Sequence, residues 1–395
     1  LEYYTDYNDS LFDRMANRLI YAVKDLETEY EKALALYNIL EEYVEYDYDA
    51  LDAYASNGAV LDNEGIKAYN AYGAIVNGKA VCEGYAEAYQ YLLQRVGIQS
   101  FIVTGNSKTS GEGHEWNLLR LDGKYYYADV TWDDSGRVNH LNHSYFSITT
   151  ARLSEDHIID NPYGLLPDCL STEMAYQYDN VFTSYDVDKL ASIFKGDKKK
   201  VDNFYFAGEN DNFNAWWNQN YNSVFQKING LKPGTSYSIS SMRIGREYII
   251  TVFPAGYGAT VGGKLLSWGD TAEETTVELF VFGAETPIYT TTLDGNFNYW
   301  YVEDIAAGSY KIRVSKADHK FKEYTFEVSG NDVTVDSSLF LLGDVTEDGI
   351  IDIRDFARAK RYMARGNAIA ACDTDDDGDF DADDLITIIE KIYSV

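Results

Sequence analysis

The chain has 395 residues, which is enough for two to four domains with a sizeable core. Its formal charge of −31 and isoelectric point near 4.4 argue against nucleic acid and anionic membrane surfaces as partners. The three cysteines are widely spaced and odd in number, so we expect no disulfide framework and at least one free thiol. No run is apolar enough for direct membrane insertion, and no signal peptide remains at Leu1, which indicates a processed or truncated start.

Residues 9–45 carry two apolar stripes at helical spacing. The sequence therefore predicts two helices that pack over the core of the N-terminal domain. The stripes are Leu11, Met15, Leu19, Ile20 and Val23, and then Ala33, Leu36, Leu40 and Val44.

A third helix is predicted to begin at Cys82, with Gly97 as its stop signal. Its apolar positions are Ala86, Tyr89, Leu92, Leu93 and Val96. Unpaired N–H groups and the helix dipole at its first turn favour a thiolate at Cys82 over a thiol. Gly84 is expected to let the backbone approach a bound substrate.

The next segment predicts a hairpin that turns at Asp122-Gly123. Counting outward from this turn pairs Trp116 with Asp129 and His114 with Thr131. His114 and Asp129 then become diagonal neighbours on one face, about 7–8 Å apart at the backbone and within side-chain reach. A carboxylate beside an imidazole fixes the ring tautomer and stabilises its charged form, as a nucleophile's base requires.

These segments resemble the transglutaminase-like superfamily. The similarity rests on A-Y-G-A-I-V-N-G-K-A-V-C-E-G-Y-A (71–86), G-H-E-W-N-L-L (113–119) and Y-Y-Y-A-D-V-T-W-D-D (125–134), with support from 45–51 and 144–157. The resemblance implies a papain-like fold and a Cys82–His114–Asp129 triad, with no cofactor for catalysis. Glu115 stands where small residues are common in the family, which changes the charge of the site.

The triad implies acyl transfer, in which Cys82 attacks an amide carbonyl, His114 carries protons and Asp129 orients His114. The N–H of Cys82 is expected in the oxyanion hole, with Tyr72 or Trp116 as a second donor. A peptidase acting on protein or peptide amides is the favoured interpretation. Protein crosslinking by a transglutaminase and a non-catalytic polypeptide- or glycan-binding module remain alternatives, as does a structural role for the Cys82 thiol.

The region from residue 133 to residue 268 carries weaker signals. His140, His143 and His157 lack metal-ligand spacing, so we expect surface histidines or histidines that support the site indirectly. Tyr145 to Ile148 is interpreted as a short strand. Farther on, a helix at 186–194 and strands at 237–239 and 248–252 are expected. The aromatic residues Trp216, Trp217 and Tyr221 are interpreted as core or subsite wall, with sugar or peptide binding as the alternative.

From about Thr271 the pattern alternates with period two, separated by turn signals at Asp294-Gly295, Ala307-Gly308 and 330–332. This predicts a small β-sandwich. The module loosely resembles the immunoglobulin-like domains found beside dockerins in bacterial extracellular enzymes, and it is interpreted as a spacer.

An internal repeat at 344–355 and 373–384 has the ligand spacing of calcium loops, with glycine at position 6. The predicted ligands are Asp344, Thr346, Asp348, the Ile350 carbonyl, Asp352 and Asp355 for one ion, and Asp373, Asp375, Asp377, the Asp379 carbonyl, Asp381 and Asp384 for the other. Two loop–helix copies at this spacing resemble a dockerin. Thr346 replaces the family's usual asparagine, which predicts a weaker first site.

A dockerin implies secretion and attachment to the cohesin module of a scaffoldin, in an extracellular, cell-surface cellulosome. The predicted cohesin contacts, Ile353-Arg354 and Ala382-Asp383, differ between the two copies, which favours a single binding orientation. The expected fold class is α+β. The expected domains are a transglutaminase-like domain at 1–268, an immunoglobulin-like β-sandwich at 269–340, and a small all-α dockerin holding two structural calcium ions at 341–395.

Overall fold

The computed structural model describes residues 10–56, 63–134, 136, 141–194, 202–208, 212–228, 231, 236–254, 256–267, 273–294, 297–346, 351–366, 369–375 and 379–393. The chain divides into two compact units. One unit is Leu26–Tyr257, and the other combines Leu1–Asp25 with Gly258–Val395. Among the described helices, none has both the length and the apolar composition needed to cross a membrane.

The α-helices are numbered in chain order. They are α1 (Ser10–Tyr21), α2 (Glu29–Tyr43), α3 (Tyr48–Ser56), α4 (Asn63–Lys67), α5 (Cys82–Arg95), α6 (Val130–Asp133), α7 (Thr150–Leu153), α8 (Val187–Ile193), α9 (Phe213–Lys227), α10 (Ile353–Arg365) and α11 (Ala382–Tyr393). A π-helical turn at Gly73–Asn77 and a 3₁₀ turn at Ala370–Cys372 complete the helical segments of the described residues.

The strands are numbered in the same way. They are β1 (Glu45–Tyr46), β2 (Lys79–Ala80), β3 (Gln99–Ser107), β4 (Gly113–Leu121), β5 (Lys124–Ala128), β6 (His157–Ile159), β7 (Val181–Phe182), β8 (Asp202–Phe206), β9 (Tyr237–Ile244), β10 (Glu247–Pro254), β11 (Ala259–Leu266), β12 (Thr275–Val281), β13 (Tyr289–Leu293), β14 (Phe297–Ile305), β15 (Gly308–Ser315), β16 (His319–Lys320), β17 (Lys322–Val328), β18 (Val333–Thr334), β19 (Ser337–Ser338) and β20 (Phe340–Leu341).

The site-bearing sheet has the antiparallel order β5-β4-β3-β6. Helix α5 packs on β3 and β4, and α2 packs on α5, so apolar side chains from all three layers are buried together. The predicted second and third helices are confirmed by α2 and α5. The Asn117 side chain joins sheet to helix, because its Nδ2 donates a hydrogen bond to the Ala86 carbonyl at 2.9 Å.

Helix α1 differs from the expectation that it covers the same core. It falls in the unit that contains Gly258–Val395, where the Arg18 guanidinium donates to the Ser267 carbonyl oxygen. Of its apolar stripe, Met15, Leu19 and Val23 are buried, with Leu19 fully so. An amphipathic pattern specifies that a helix has a covered face, but the pattern does not say which part of the chain covers it.

Residues 181–254 form a second sheet, β7-β8-β10-β9, with α8 and α9 packed on each other beside it. Its core is aromatic: Phe204, Phe213 and Tyr248 are buried, and Trp216 and Trp217 pack against them. This packing favours the core interpretation for Trp216 and Trp217, whereas Tyr221 is exposed and does not fit it. The residues expected to form a strand at 145–148 instead form turns, with one isolated bridge between Ile148 and Tyr127.

The C-terminal unit contains two further sheets whose inner faces share one apolar core. Their orders are β14-β11-β18, with β19 also on β11, and β13-β12-β15-β17. Strand β11 belongs to this module, although sequence analysis assigned residues up to 268 to the preceding domain. Its partners are β14 and, about 70 residues later at Val333 and Ser337, β18 and β19, and these pairings identify its place.

Helices α10 and α11 pack on each other around a small core that includes Val345, Ala359, Cys372 and Ile388. Each begins directly after the acidic residue at position 9 of its predicted calcium loop. The position-12 carboxylate caps the start of both helices, since Asp355 accepts the Asp352 N–H at 2.8 Å and Asp384 accepts the Asp381 N–H at 2.9 Å. In the described residues, the two copies therefore share the same cap at the start of the helix.

Candidate active site

Cys82 is the first residue of α5, preceded by Val81 in an extended conformation. Its thiol is free and partly exposed, whereas Cys169 and Cys372 are buried. The first-turn position agrees with the sequence prediction. Gly84 has a different role from the one expected, because a Cβ there would lie 2.6 Å from the Ala68 carbonyl oxygen. The glycine lets α5 pack closely on the preceding segment.

The β4–β5 hairpin has the predicted register from Leu121↔Lys124 to Asn117↔Ala128. Strand β5 then ends, and Asp129 becomes the N-cap of α6, where its Oδ1 accepts the Trp132 N–H at 3.1 Å. The expected His114–Thr131 pair is therefore not formed. Because Asp129 is the first residue after the paired strand, it still lies beside the His114 end of β4.

His114 lies between the other two predicted triad residues. Its Nε2 lies 2.6 Å from Asp129 Oδ2, and the Cys82 side chain is close enough to interact with the ring. Since Nε2 faces Asp129, Nδ1 is the ring nitrogen available to the thiol. Both His114 and Asp129 are buried. The ring thus lies between thiol and carboxylate, in agreement with the predicted proximity.

The charges of this pair stabilise each other strongly. Burial alone would lower the pKa of His114, but the Asp129 carboxylate outweighs it and raises that pKa to about 10. Burial likewise opposes ionisation of Asp129, yet His114 and a second histidine, His157, hold its pKa well below the usual range. The geometry therefore favours an imidazolium next to Cys82.

His157, for which the sequence left open a surface position or indirect support of the site, belongs to the site. It is buried, and its Nε2 lies 3.1 Å from Asp129 Oδ2, the oxygen that also contacts His114. It reaches the site on β6, which pairs with β3 at Ser107↔His157. Gly105 makes that approach possible, because a Cβ there would lie 2.0 Å from the Ile158 carbonyl oxygen. The interpretation as a surface histidine is wrong for His157, and the alternative of indirect support for the site is retained.

The set His114, Asp129 and His157 has the composition of a metal site. Two ligands of one tetrahedral zinc ion lie about 3.4 Å apart, given zinc–ligand bonds of about 2.1 Å. The 2.6 Å between His114 Nε2 and Asp129 Oδ2 is shorter than this and matches a charge-assisted hydrogen bond. The arrangement is that of a hydrogen-bonded network.

His157 is itself held by a second carboxylate. Its Nδ1 lies 2.7 Å from Asp156 Oδ1. The other oxygen of Asp156 accepts the Tyr145 hydroxyl at 2.6 Å and faces Arg152 Nη1 at 3.3 Å. Asp129 is supported from its backbone as well, since its carbonyl oxygen lies 2.6 Å from the hydroxyl of Tyr37 on α2.

The two proposed additional oxyanion donors lie in different surroundings. Trp116 is buried on β4, its ring centroid is 5.7 Å from that of His114, and its Nε1 has no acceptor among the described residues. Tyr72 precedes the π-helical turn, where its backbone N–H donates to Asn70 Oδ1 and the Lys67 ammonium lies over its ring. Their roles as donors stay predictions.

Three glutamates lie close enough to interact around the Cys82 end of the site. Burial, and then the charges of Glu83 and Glu87, raise the pKa of Glu115 to about 7. Burial also raises the pKa of Glu87 to about 7. The sequence predicted that Glu115 changes the charge of the site. That charge depends on the interaction of Glu115 with Glu83 and Glu87 of α5.

The second calcium loop has donors suited to a cation. Carboxylate oxygens of Asp373, Asp375 and Asp384 lie within 4.8 Å of one another, as do those of Asp379, Asp381 and Asp384. Asp373 Oδ1 is buried without a hydrogen-bond partner among the described residues. A buried, unpartnered carboxylate oxygen in an acidic cluster fits a hard cation such as calcium. The predicted ligand Asp377 lies outside the described residues.

In the first loop, Asp344 and Asp355 are buried, and the Thr346 N–H donates to Asp355 Oδ1 at 2.8 Å. The predicted ligands Asp348 and Ile350 lie outside the described residues. Arg354 Nη2 pairs with Asp352 Oδ2 at 2.7 Å, so a predicted cohesin contact neutralises a predicted calcium ligand. The predicted cohesin contacts are all exposed: Ile353, Arg354, Ala382 and Asp383.

Parts of the chain are similar to known proteins. Human kyphoscoliosis peptidase is 27% identical over 157 residues, covering 35% of this chain and 22% of that protein. The chain thus spans about a fifth of the length of the curated relatives it matches.

Two solved structures are similar over part of the chain. A TGase crystal structure is 20% identical, covers 30% of this chain and 32% of its own, and has a TM-score of 0.27. A type II cohesin–X-dockerin complex from Acetivibrio cellulolyticus is 19% identical, with 34% and 96% coverage and a TM-score of 0.18.

The family models give the assignment. Residues 16–130 match the transglutaminase-like superfamily, a span that includes Cys82, His114 and Asp129. Residues 342–393 match the dockerin type I domain and contain both acidic loops. The chain therefore combines a segment that matches the transglutaminase-like superfamily with a later segment that matches the dockerin type I domain.

Proposed function

We propose that this chain is a cysteine-dependent acyl-transfer enzyme that hydrolyses amide bonds of proteins or peptides. The observation that carries the proposal is the position of His114, which contacts Asp129 Oδ2 at 2.6 Å and lies close enough to Cys82, at the start of α5, to interact with it. Nucleophile, base and orienting carboxylate thus follow one another in the order that a catalytic triad requires.

In the proposed reaction, the Cys82 thiolate attacks the amide carbonyl carbon, and a C–S bond forms as the carbonyl oxygen becomes an oxyanion. The N–H of Cys82, at the helix start, is suited to stabilise this charge. His114 Nδ1 then gives its proton to the leaving nitrogen as the C–N bond breaks. Neutral His114 next takes a proton from water, whose oxygen attacks the acyl carbon, and the C–S bond breaks to restore the thiolate.

Asp129 supports each step by holding His114 at Nε2. This contact leaves Nδ1 directed to the sulfur and stabilises the imidazolium that exists before attack and after turnover. Hydrolysis is preferred here to amine transfer because the curated relatives are named peptidases. Crosslinking by a lysine amine shares the same acyl-enzyme, so the choice of acceptor is decided by assay.

The C-terminal segment is proposed to anchor the enzyme outside the cell. A dockerin with two calcium loops fits attachment to the cohesin module of a scaffoldin in a cellulosome. Calcium held by the loop carboxylates would supply structural stabilisation, with the acidic side chains brought together around each ion. The sheets β14-β11-β18 and β13-β12-β15-β17 are proposed to form an immunoglobulin-like spacer that precedes the dockerin.

The test is a proteome-wide cleavage screen with the intact protein and a Cys82→Ala variant. We expect cleavage products from the intact protein and none from the variant. The melting temperature should differ little, because the thiol is partly exposed. Products from both proteins, or a large loss of stability in Cys82→Ala, would contradict a nucleophilic role for the thiol.

A further inference from the structure

His157 is buried with a carboxylate oxygen at each ring nitrogen. Nδ1 lies 2.7 Å from Asp156 Oδ1, and Nε2 lies 3.1 Å from Asp129 Oδ2. An ionised carboxylate only accepts hydrogen bonds, and a neutral imidazole has only one N–H. Two such contacts therefore require a proton on each nitrogen, which makes the ring an imidazolium. The raised pKa of His157, which both carboxylates cause against the opposing effect of burial, agrees with this charge state.

The ring has little freedom to leave this position. Its centroid lies 4.0 Å from that of Trp132, 4.9 Å from that of Trp116 and 5.6 Å from that of Tyr145. Its carboxylate partner Asp156 is fixed in turn by Tyr145 and Arg152. The ring is thus a rigid donor aimed at Asp129.

Asp129 depends on this donor for the position of the oxygen that contacts His114. Oδ1 is taken by the Trp132 N–H, and Oδ2 accepts from both histidines. We propose that His157 is a positioning residue, a buried imidazolium that fixes Asp129 Oδ2 against His114. This inference rests on the proposed acyl-transfer function, in which His114 is the base.

The charges around the two rings determine the pH behaviour. His157 faces Asp129 and Asp156, with Arg152 behind Asp156 and the His114 ring 5.6 Å away. His114 faces Asp129 and Cys82, and Glu115 lies close enough to interact with it. Removing the positive charge of His157 leaves more of the Asp129 charge to stabilise the His114 imidazolium. Removing the hydrogen bond from His157 to Asp129 instead frees Asp129 to move. This loss destabilises the His114 imidazolium.

Two substitutions separate these contributions. His157→Gln places an amide N–H near the position of Nε2, so it keeps the donor to Asp129 without the charge. His157→Asn places its amide near Nδ1, so it keeps the contact with Asp156 and loses the one with Asp129. The readout is the pH dependence of Cys82 alkylation by iodoacetamide in the full chain, which requires no known substrate.

We expect His157→Asn to move the acid midpoint of alkylation upward by about one pH unit, a tenfold loss of rate at acidic pH. His157→Gln should leave the midpoint unchanged or lower. Equal shifts in both variants, or no shift in either, would overturn the positioning role. His143→Gln is the matched control, because His143 is equally buried but bonds Asn38 and stacks on Tyr176. It should leave the midpoint in place.

A measurement on the unaltered protein covers the case in which a variant does not fold. Nitrogen-15 NMR of the ring should show both nitrogens of His157 protonated at neutral pH, and a neutral ring would overturn the inference. The proposed function fails separately. If Cys82 of the unaltered protein is alkylated as slowly as an ordinary thiol, the proposed function is refuted. If alkylation is fast and its acid midpoint is unchanged in His157→Asn, only the positioning role is refuted.

Discussion

Replacing Asp129 with asparagine puts a donor in place of the oxygen that accepts hydrogen bonds from His114 and His157, while keeping the side-chain shape. The asparagine carbonyl can still accept the Trp132 N–H, as Asp129 Oδ1 does at 3.1 Å, so the cap of α6 is retained. The amide nitrogen then faces the Nε2 atoms of His114 and His157, where the carboxylate oxygen had accepted two hydrogen bonds. His114 must now accept at Nε2, which puts its proton on Nδ1 and removes the base for Cys82.

The size of the effect follows from the charge that is lost. Asp129, with a smaller contribution from Cys82, raises the pKa of His114 from 6.5 to about 10 against the opposing effect of burial. At about 1.4 kcal/mol per pH unit, this corresponds to about 5 kcal/mol of preference for the imidazolium. Without it, Cys82 has no stable counter-charge, and an ordinary thiol is only about 0.3% ionised at pH 6. Alkylation at pH 6 should therefore slow about 100-fold, and turnover by about 10⁴-fold.

The assay compares the iodoacetamide rates of the unaltered protein and Asp129→Asn at pH 6, with melting temperatures measured alongside. Asp160→Asn makes the same substitution at an exposed position and should leave the rate unchanged. If Asp129→Asn is alkylated within about threefold of the unaltered protein while folded, the carboxylate does not maintain the ion pair and the reasoning fails.

Two further predictions concern the glutamates and calcium. The stabilising contribution of neutral Glu115 is present below pH about 4.5 and is lost as pH rises through its raised pKa of about 7, so the stability of Glu115→Gln relative to the unaltered protein should increase across this interval and stay higher above it. Denaturant titration across pH tests this, and equal stabilities at pH 8 would refute it. A chelator should unfold residues 341–395 and abolish cohesin binding while leaving Cys82 alkylation intact, as followed by circular dichroism and alkylation rate. Loss of both together would point to a calcium site in the unit that holds Cys82.

The sequence predicted those parts of the site that depend on local geometry. A two-residue turn fixes the register of the hairpin that carries His114 and brings Asp129 beside it. The repeated acidic loops place their ligands within twelve residues of each other, so spacing alone indicates the donors. In each case the residues that act together are close in the chain or are aligned by one turn.

The contact of His157 with Asp129 and the place of strand β11 could not be predicted, for the same physical reason. His157 lies 28 residues after Asp129 and reaches it only because β6 joins the edge of β3. Strand β11 takes its place from pairing with β18 and β19 near residues 333–338. Pairings between distant segments leave no periodic signal in either segment, so neither contact could be inferred locally. Helix α1 illustrates the same limit, since its stripe does not specify the surface that covers it.

The central claim is tested most directly by measuring which cysteine reacts with iodoacetamide at pH 6 in the intact chain. The three thiols provide an internal comparison, because Cys169 and Cys372 are buried and burial raises their pKa, that of Cys169 to about 12. Intact-mass and peptide mapping should find modification at Cys82 alone, at a rate well above that of free cysteine at the same pH. Alkylation of Cys82 no faster than free cysteine would contradict an activated thiolate beside His114.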